Sequence, residues 1–211
     1  MKKVVSGMAM GIAAFIATSS AHAAISITNV SGDVKPAGFT NLVTFDSALP
    51  SGYSLSGTYS LFTSSQSNAA APPGDTTTFA GLQTGQSLTL HSEAGFTAFS
   101  FYMGSPDSYN QVTAAGQTFA GSDLLGTPFI ADNGDQSVGR TVIYDLGAVA
   151  HDVTFSSNGV AFEFDNVAVA VAAAPEPAEW MLMLLGVGGL GLALRAHYRL
   201  NKELDGLRAA A

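Results

Sequence analysis

Residues 160–171 alternate with a period of two, and that pattern permits little besides a β-strand. Val160, Phe162 and Phe164 fall on one side, and Ala161, Glu163 and Asp165 on the other, so one face is apolar and the other acidic. Val167, Val169 and Val171 continue the apolar set with the parity moved by one. A one-residue slip in a period-two pattern predicts a β-bulge or break at Asp165 and Asn166. Upstream, shorter runs recur between Gly, Ser, Pro, Asn and Asp turns: residues 25–30, 42–45, 58–62, 76–80, 87–91, 96–102, 109–114, 140–144 and 152–156. No stretch of residues 24–174 has helical periodicity of useful length. The expected fold is all-β, a single antiparallel β-sandwich of jelly-roll or lectin-like type. Residues 64–75, SSQSNAAAPPGD, read as a surface loop within it.

Both ends of the chain read as addresses. Lys2 and Lys3 precede an apolar run over residues 4–17, and Ala21 and Ala23 give the small-x-small pattern of a secretory cleavage site. Residues 1–23 are therefore expected to be a signal peptide, helical and removed after Ala23. At the other end, Pro175-Glu176-Pro177 is followed by fifteen uncharged residues, 180–194, and then Arg195. A spanning helix needs roughly 20 apolar residues. The expected membrane helix, about residues 178–194, is short, and Gly186, Gly188, Gly189 and Gly191 weaken it further. Its small residues permit close approach to another membrane helix. Arg195, Arg199, Lys202 and Arg208 place the far end in the cytoplasm.

The segment PEPAEWMLMLLGVGGLGLALR, residues 175–195, resembles the PEP-CTERM sorting signal of Gram-negative bacterial surface proteins. Tripeptide, apolar run and basic end carry the resemblance, and Trp180 matches the variant with Trp three residues after the second Pro. Two departures stand out. Met181 occupies a position where that variant usually has Ala, and sixteen residues follow Arg195 where the usual tail ends sooner. The resemblance implies an exosortase, a polytopic membrane enzyme of cysteine-protease type, that reads Pro175, Glu176 and Pro177 and cuts nearby. It also implies a producer of exopolysaccharide. The expected route runs through the secretion machinery to an inner-membrane intermediate, then to the cell surface or extracellular matrix of a Gram-negative bacterium.

Between the addresses lie residues 24–174, one domain's worth of chain. They hold two basic residues, Lys35 and Arg140, against twelve acidic ones, a net of −10, compared with −8 for the whole chain. That balance excludes a nucleic-acid partner, whose phosphates need Lys and Arg. Cysteine is absent, so core packing must hold the exported domain without disulfides. No His-x-x-x-His pair, Gly-x-Ser-x-Gly elbow or phosphate loop occurs, which argues against an enzyme.

Three groups of residues offer chemistry. Glu163 and Asp165 sit at i and i+2 on one strand face. They resemble part of the Glu-x-Asp-x-x-Glu motif of jelly-roll glycoside hydrolases, but the third carboxylate is missing, since Val167 and Ala168 stand near its place. They are expected to face solvent. Asp132 and Asp135 flank Asn133-Gly134, a turn dipeptide whose hard oxygens also suit Ca²⁺, the one cofactor entertained. Tyr102 and Tyr109 bracket a turn in the most aromatic window and are candidates to stack on a sugar ring, against the plainer reading of buried strand residues. The leading expectation is a non-enzymatic, exosortase-processed surface or matrix protein associated with exopolysaccharide and biofilm. The alternatives are a carbohydrate-binding module, lectin-like and Ca²⁺-dependent or not, and then a glycoside hydrolase.

Overall fold

The computed structural model describes residues 24–126, 138–171 and 177–209. The chain divides into two units, Met1–Val171 and Ala172–Ala211. The described part of the first is all-β. Its strands are β1 (Ser26–Ser31), β2 (Thr40–Val43), β3 (Tyr53–Thr58), β4 (Ser60–Phe62), β5 (Phe79–Leu82), β6 (Ser87–Met103), β7 (Asn110–Ala114), β8 (Gln117–Ala120), β9 (Arg140–Ser157) and β10 (Phe162–Val171). A 3-10 turn, Gly121–Leu125, follows β8. Every strand pairing is antiparallel.

β6 and β9, with 17 and 18 residues, organise the sandwich. They pair from Ser87↔Ser156 to His91↔Asp152, and again from Ala98↔Asp145 to Met103↔Arg140. Between these stretches each strand carries unpaired residues, around Gly95 on β6 and Gly147 on β9, both at positive φ. The surplus bends both strands and switches which parity faces inward. On β6 the buried set passes from Leu88 and Leu90 to Phe99, Phe101 and Met103; on β9 it passes from Val142 and Tyr144 to Val153 and Phe155. The two halves thus belong to different layers, as at a corner where strands cross between packed sheets. The first layer is ordered β3–β6–β9–β7–β8. The second is β1–β9–β6–β10–β5–β4, with β2 also against β10.

Aromatic rings fill the space between the layers. Phe155, from the first layer, stacks on Phe164 at 4.3 Å and meets Phe101 edge-on at 5.0 Å. Phe99 stacks on Tyr144 at 4.6 Å. The Tyr144 hydroxyl donates to the Leu124 carbonyl at 2.7 Å, which satisfies its buried polar end and anchors the 3-10 turn. Burying each such ring stabilises the fold by about 1.5–3 kcal/mol, which is how a chain without disulfides holds together.

The expected strand lists and the observed ones differ for a physical reason. Residues 87–91 and 96–102, read as two strands, are one; so are 140–144 and 152–156. The residues between these runs are read as turns that end strands, whereas Gly95 and Gly147, both at positive φ, bend strands that continue. The slip in β10 is where the alternation put it. Asn166 has φ 51°, the register shifts there, and both Phe164 and Val167 are fully buried.

The outer face of the first layer is a plain of hydroxyls. Ser56, Thr89, Thr154, Thr113 and Thr118 lie side by side across five strands. Thr89 and Thr154 are hydrogen-bonded at 2.8 Å, and Thr113 and Thr118 at 2.7 Å. The second unit's helix, α1 (Pro177–Ala209, 33 residues), contains a 19-residue segment, Met181–Arg199, long and apolar enough to cross a membrane and exposed throughout.

Candidate functional site

The outward face of β10 carries Glu163 and Asp165, and the chain between β4 and β5 lies over it. Ala70 donates its amide to Glu163 Oε1 at 2.8 Å. Thr77 donates its hydroxyl toward Asp165 Oδ2 at 3.2 Å. The Tyr102 hydroxyl donates to the Pro73 carbonyl. Both carboxylates are therefore covered, and the expectation that they face solvent is corrected: Glu163 is half-buried and Asp165 has no exposed surface. Alternation identified the strand face, but it carries no information about a loop folded across that face.

The two carboxylates sit in separate surroundings. Glu163 lines a polar pocket of about 190 Å³ with Gln66, Asn68, Ser105, Asp107 and Tyr109. Burial pushes its carboxyl up to about 7; the Ala70 amide and its own backbone amide oppose the shift, and the charge of Asp107 adds to it. Tyr109 forms one wall. Its hydroxyl donates to the Val160 carbonyl at 2.8 Å, and a Cβ on Gly159 would collide with its ring, so this approach requires glycine. Burial, then the charge and hydrogen bonding of Asp107, then Glu163, push the Tyr109 phenol up to about 12. A half-buried ring beside carboxylates, hydroxyl and amides is suited to holding a small polyhydroxylated ligand by hydrogen bonds.

Asp165 faces Thr77 and Asp75. The Thr77 hydroxyl lies 2.7 Å from Asp75 Oδ1, which also accepts the Thr77 amide at 2.8 Å. Asp165 Oδ1 and Asp75 Oδ2 are buried atoms without hydrogen-bond partners. Burial pushes the Asp165 carboxyl up to about 7; the Asn166 amide opposes, Asp75 adds, Thr77 opposes and Asp46 adds. Asp46 Oδ1 accepts the Thr78 amide at 3.1 Å, and Asp33 Oδ2 accepts the Asn166 side-chain amide at 2.8 Å. Burial also raises Asp33, with Asn166 opposing and Asp75 adding.

The tyrosine pair is corrected. Tyr102 is 3 % exposed and presents no ring for stacking, whereas Tyr109 remains half-open at the pocket. Tyr102 opposes Asp165 in the β6–β10 register, under the same cover, so neither parity of this part of β6 reaches solvent. Asp132 and Asp135 lie outside the described residues, as do Ala21, Ala23, Pro175 and Glu176. Pro177 opens α1 and Trp180 lies in its first turn, while Arg195 and Arg199 are exposed on it. Reading by sequence missed Asp75, Thr77 and Asp107. Only the Asp-x-Thr spacing of the first two, which favours a local turn, could have drawn attention to them.

On the first layer, a larger and more apolar groove of about 470 Å³ runs between Thr113, Ala148, Val149, His151 and Thr154. Beside it His91 Nδ1 lies 2.8 Å from Asp152 Oδ1, and His91 stacks with His151 at 6.3 Å.

No family model and no curated protein matches the chain. Among solved structures, it is similar to a family 29 carbohydrate-binding module at 16% identity and TM-score 0.39, covering 65% of this chain and 99% of the module. A form of that module complexed with mannohexaose is similar at 14% identity and TM-score 0.39, covering 62% and 89%. A peptidoglycan O-acetylesterase is similar at 16% identity and TM-score 0.38, covering 63% of this chain and 33% of the esterase, so the chain spans about a third of that enzyme. None of these likenesses is close enough to assign an activity.

Proposed function

We propose that this chain is an exported, exosortase-processed protein of the cell surface or extracellular matrix. Its β-sandwich carries no catalytic machinery and associates with exopolysaccharide. The observation that carries the reading is the order Pro175-Glu176-Pro177, an apolar segment without charge, and Arg195, with Met181–Arg199 long and apolar enough to span a membrane. The hydroxyl plain of the first layer supports it as well, since rows of Ser and Thr hydrogen-bond to glycan hydroxyls without demanding one orientation. The test is the mature protein itself. Mass spectrometry of surface material should find an N-terminus at Ala24 and a C-terminus near Pro177. Pro177→Ala should leave full-length precursor in the inner membrane. Normal maturation of that variant would reduce the tail to a plain anchor.

A second reading, a carbohydrate-binding module, is favoured by the Glu163–Asp107–Tyr109 pocket. Retention on a polysaccharide affinity gel that Tyr109→Ala weakens would support it. Hydrolysis of that polysaccharide, abolished by Glu163→Gln, would replace both readings with a glycoside hydrolase.

A further inference from the structure

We propose that Asp75 and Asp165, together with the Thr77 hydroxyl, bind a hard divalent cation, Ca²⁺ by its chemistry, which ties the chain between β4 and β5 to β10. Thr77 has one hydroxyl hydrogen and two carboxylate oxygens beside it, at 2.7 Å and 3.2 Å, so it cannot serve both at full strength. Asp165 Oδ1 has no partner, on a residue with no exposed surface. Asp75 Oδ2, on the carboxylate that shares Thr77 with it, is also buried without a partner. Acceptors outnumber donors around Thr77, and the two unpaired carboxylate oxygens are themselves buried, which is costly. A cation satisfies several of their lone pairs at once.

Among the described residues no Lys or Arg forms an ion pair with Asp75 or Asp165. Residues 24–174 contain only Lys35 and Arg140 as basic residues, and the Arg140 guanidinium donates to Asn29 Oδ1 at 3.1 Å. Among the described residues the single ion pair is His91–Asp152, on the other layer. Asp46 and Asp33 deepen the negative potential around the pair. The donors are all oxygen, which selects a hard ion. Ca²⁺ accepts irregular shells of 6–8 oxygens, whereas Mg²⁺ requires a near-ideal octahedron. No three His, Asp or Glu among the described residues are grouped to chelate one ion, so water must complete the shell. That composition belongs with the weak extracellular sites, with Kd about 10⁻⁴–10⁻³ M.

The experiment uses the full chain in mild detergent, stripped with EDTA and titrated with CaCl₂ by calorimetry and thermal unfolding. NaCl and MgCl₂ at matched ionic strength are the controls. The expected result is a Ca²⁺ isotherm in the stated range and a rise in Tm of several degrees at 10 mM that NaCl does not reproduce. Asp165→Asn and Asp75→Asn should each weaken binding at least tenfold, while Asp135→Ala should leave this site's isotherm in place. Asp165→Asn keeps the side-chain shape and removes a buried charge, so in EDTA it should melt no lower than the wild type. A folded Asp165→Asn protein that still binds Ca²⁺ with wild-type affinity would overturn the proposal. Equal Tm shifts from all three salts would overturn it too, as would a response abolished by Asp135→Ala alone.

Discussion

The two outer faces of this sandwich obey the same alternation and meet different fates. On the first layer, Ser56, Thr89, Thr154, Thr113 and Thr118 keep some contact with water, and the four threonines bond in two pairs, Thr89 with Thr154 and Thr113 with Thr118. On the second, Glu163, Asp165 and Tyr102 are roofed by the chain between β4 and β5. A hydroxyl loses little whether water or a neighbour satisfies it. A carboxylate under cover needs donors, a proton or a cation, and its energy depends on which one arrives. On the covered face, buried carboxylates therefore tie stability to pH and ions.

The largest expected effect falls on the ring the two layers share. Phe155→Ala should cost about 3–5 kcal/mol in urea unfolding, because Phe155 packs on both Phe101 and Phe164. A loss below 1 kcal/mol would mean that the layers do not depend on each other and that the faces should be treated separately. Next comes the pH response of the covered face. A carboxyl held above its ordinary value binds its proton more tightly when folded. The stability Glu163 contributes is complete below pH 4.5 and is lost as pH rises to about 7. Asp107 and Tyr109 face this group, and Asp107 pushes in the same direction. In EDTA the protein should be more stable at pH 5 than at pH 8, with about 1–2 kcal/mol of the difference removed by Glu163→Gln. A difference unchanged in that variant would assign the titration to other groups. The smallest effect belongs to the open face: Thr154→Val should change stability by no more than about 0.5 kcal/mol at any pH. A larger or pH-dependent loss would erase the contrast.

The contrast was only half visible in the sequence. The alternation of residues 160–171 yields β10, its inward Phe162 and Phe164, its outward acids and its bulge, because a period of two is a local property. Whether an outward residue meets water is not local. SSQSNAAAPPGD announces a loop by composition, but nothing in it says that Ala70 will reach Glu163, 93 positions away. The same limit applies to Tyr102, whose parity marks its face and not its cover. Glycine was ambiguous in another way. Gly95 and Gly147 permit positive φ, and a chain can spend that freedom on a turn or on a bend; only the pairing of β6 with β9 decides.

The place of β10 in the second layer sets the order of events when the chain is made. It is the last of the described strands, yet it lies inside the sheet, flanked by β6 on one side and by β5 and β2 on the other. A ribosome releases β2, β5 and β6 first, and each waits with an unmatched row of amides and carbonyls until residues 162–171 emerge. Closure of the sheet therefore waits for β10, and it depends on contacts far apart along the chain, the kind that form slowly. Any chaperone acting on this protein meets it during that wait.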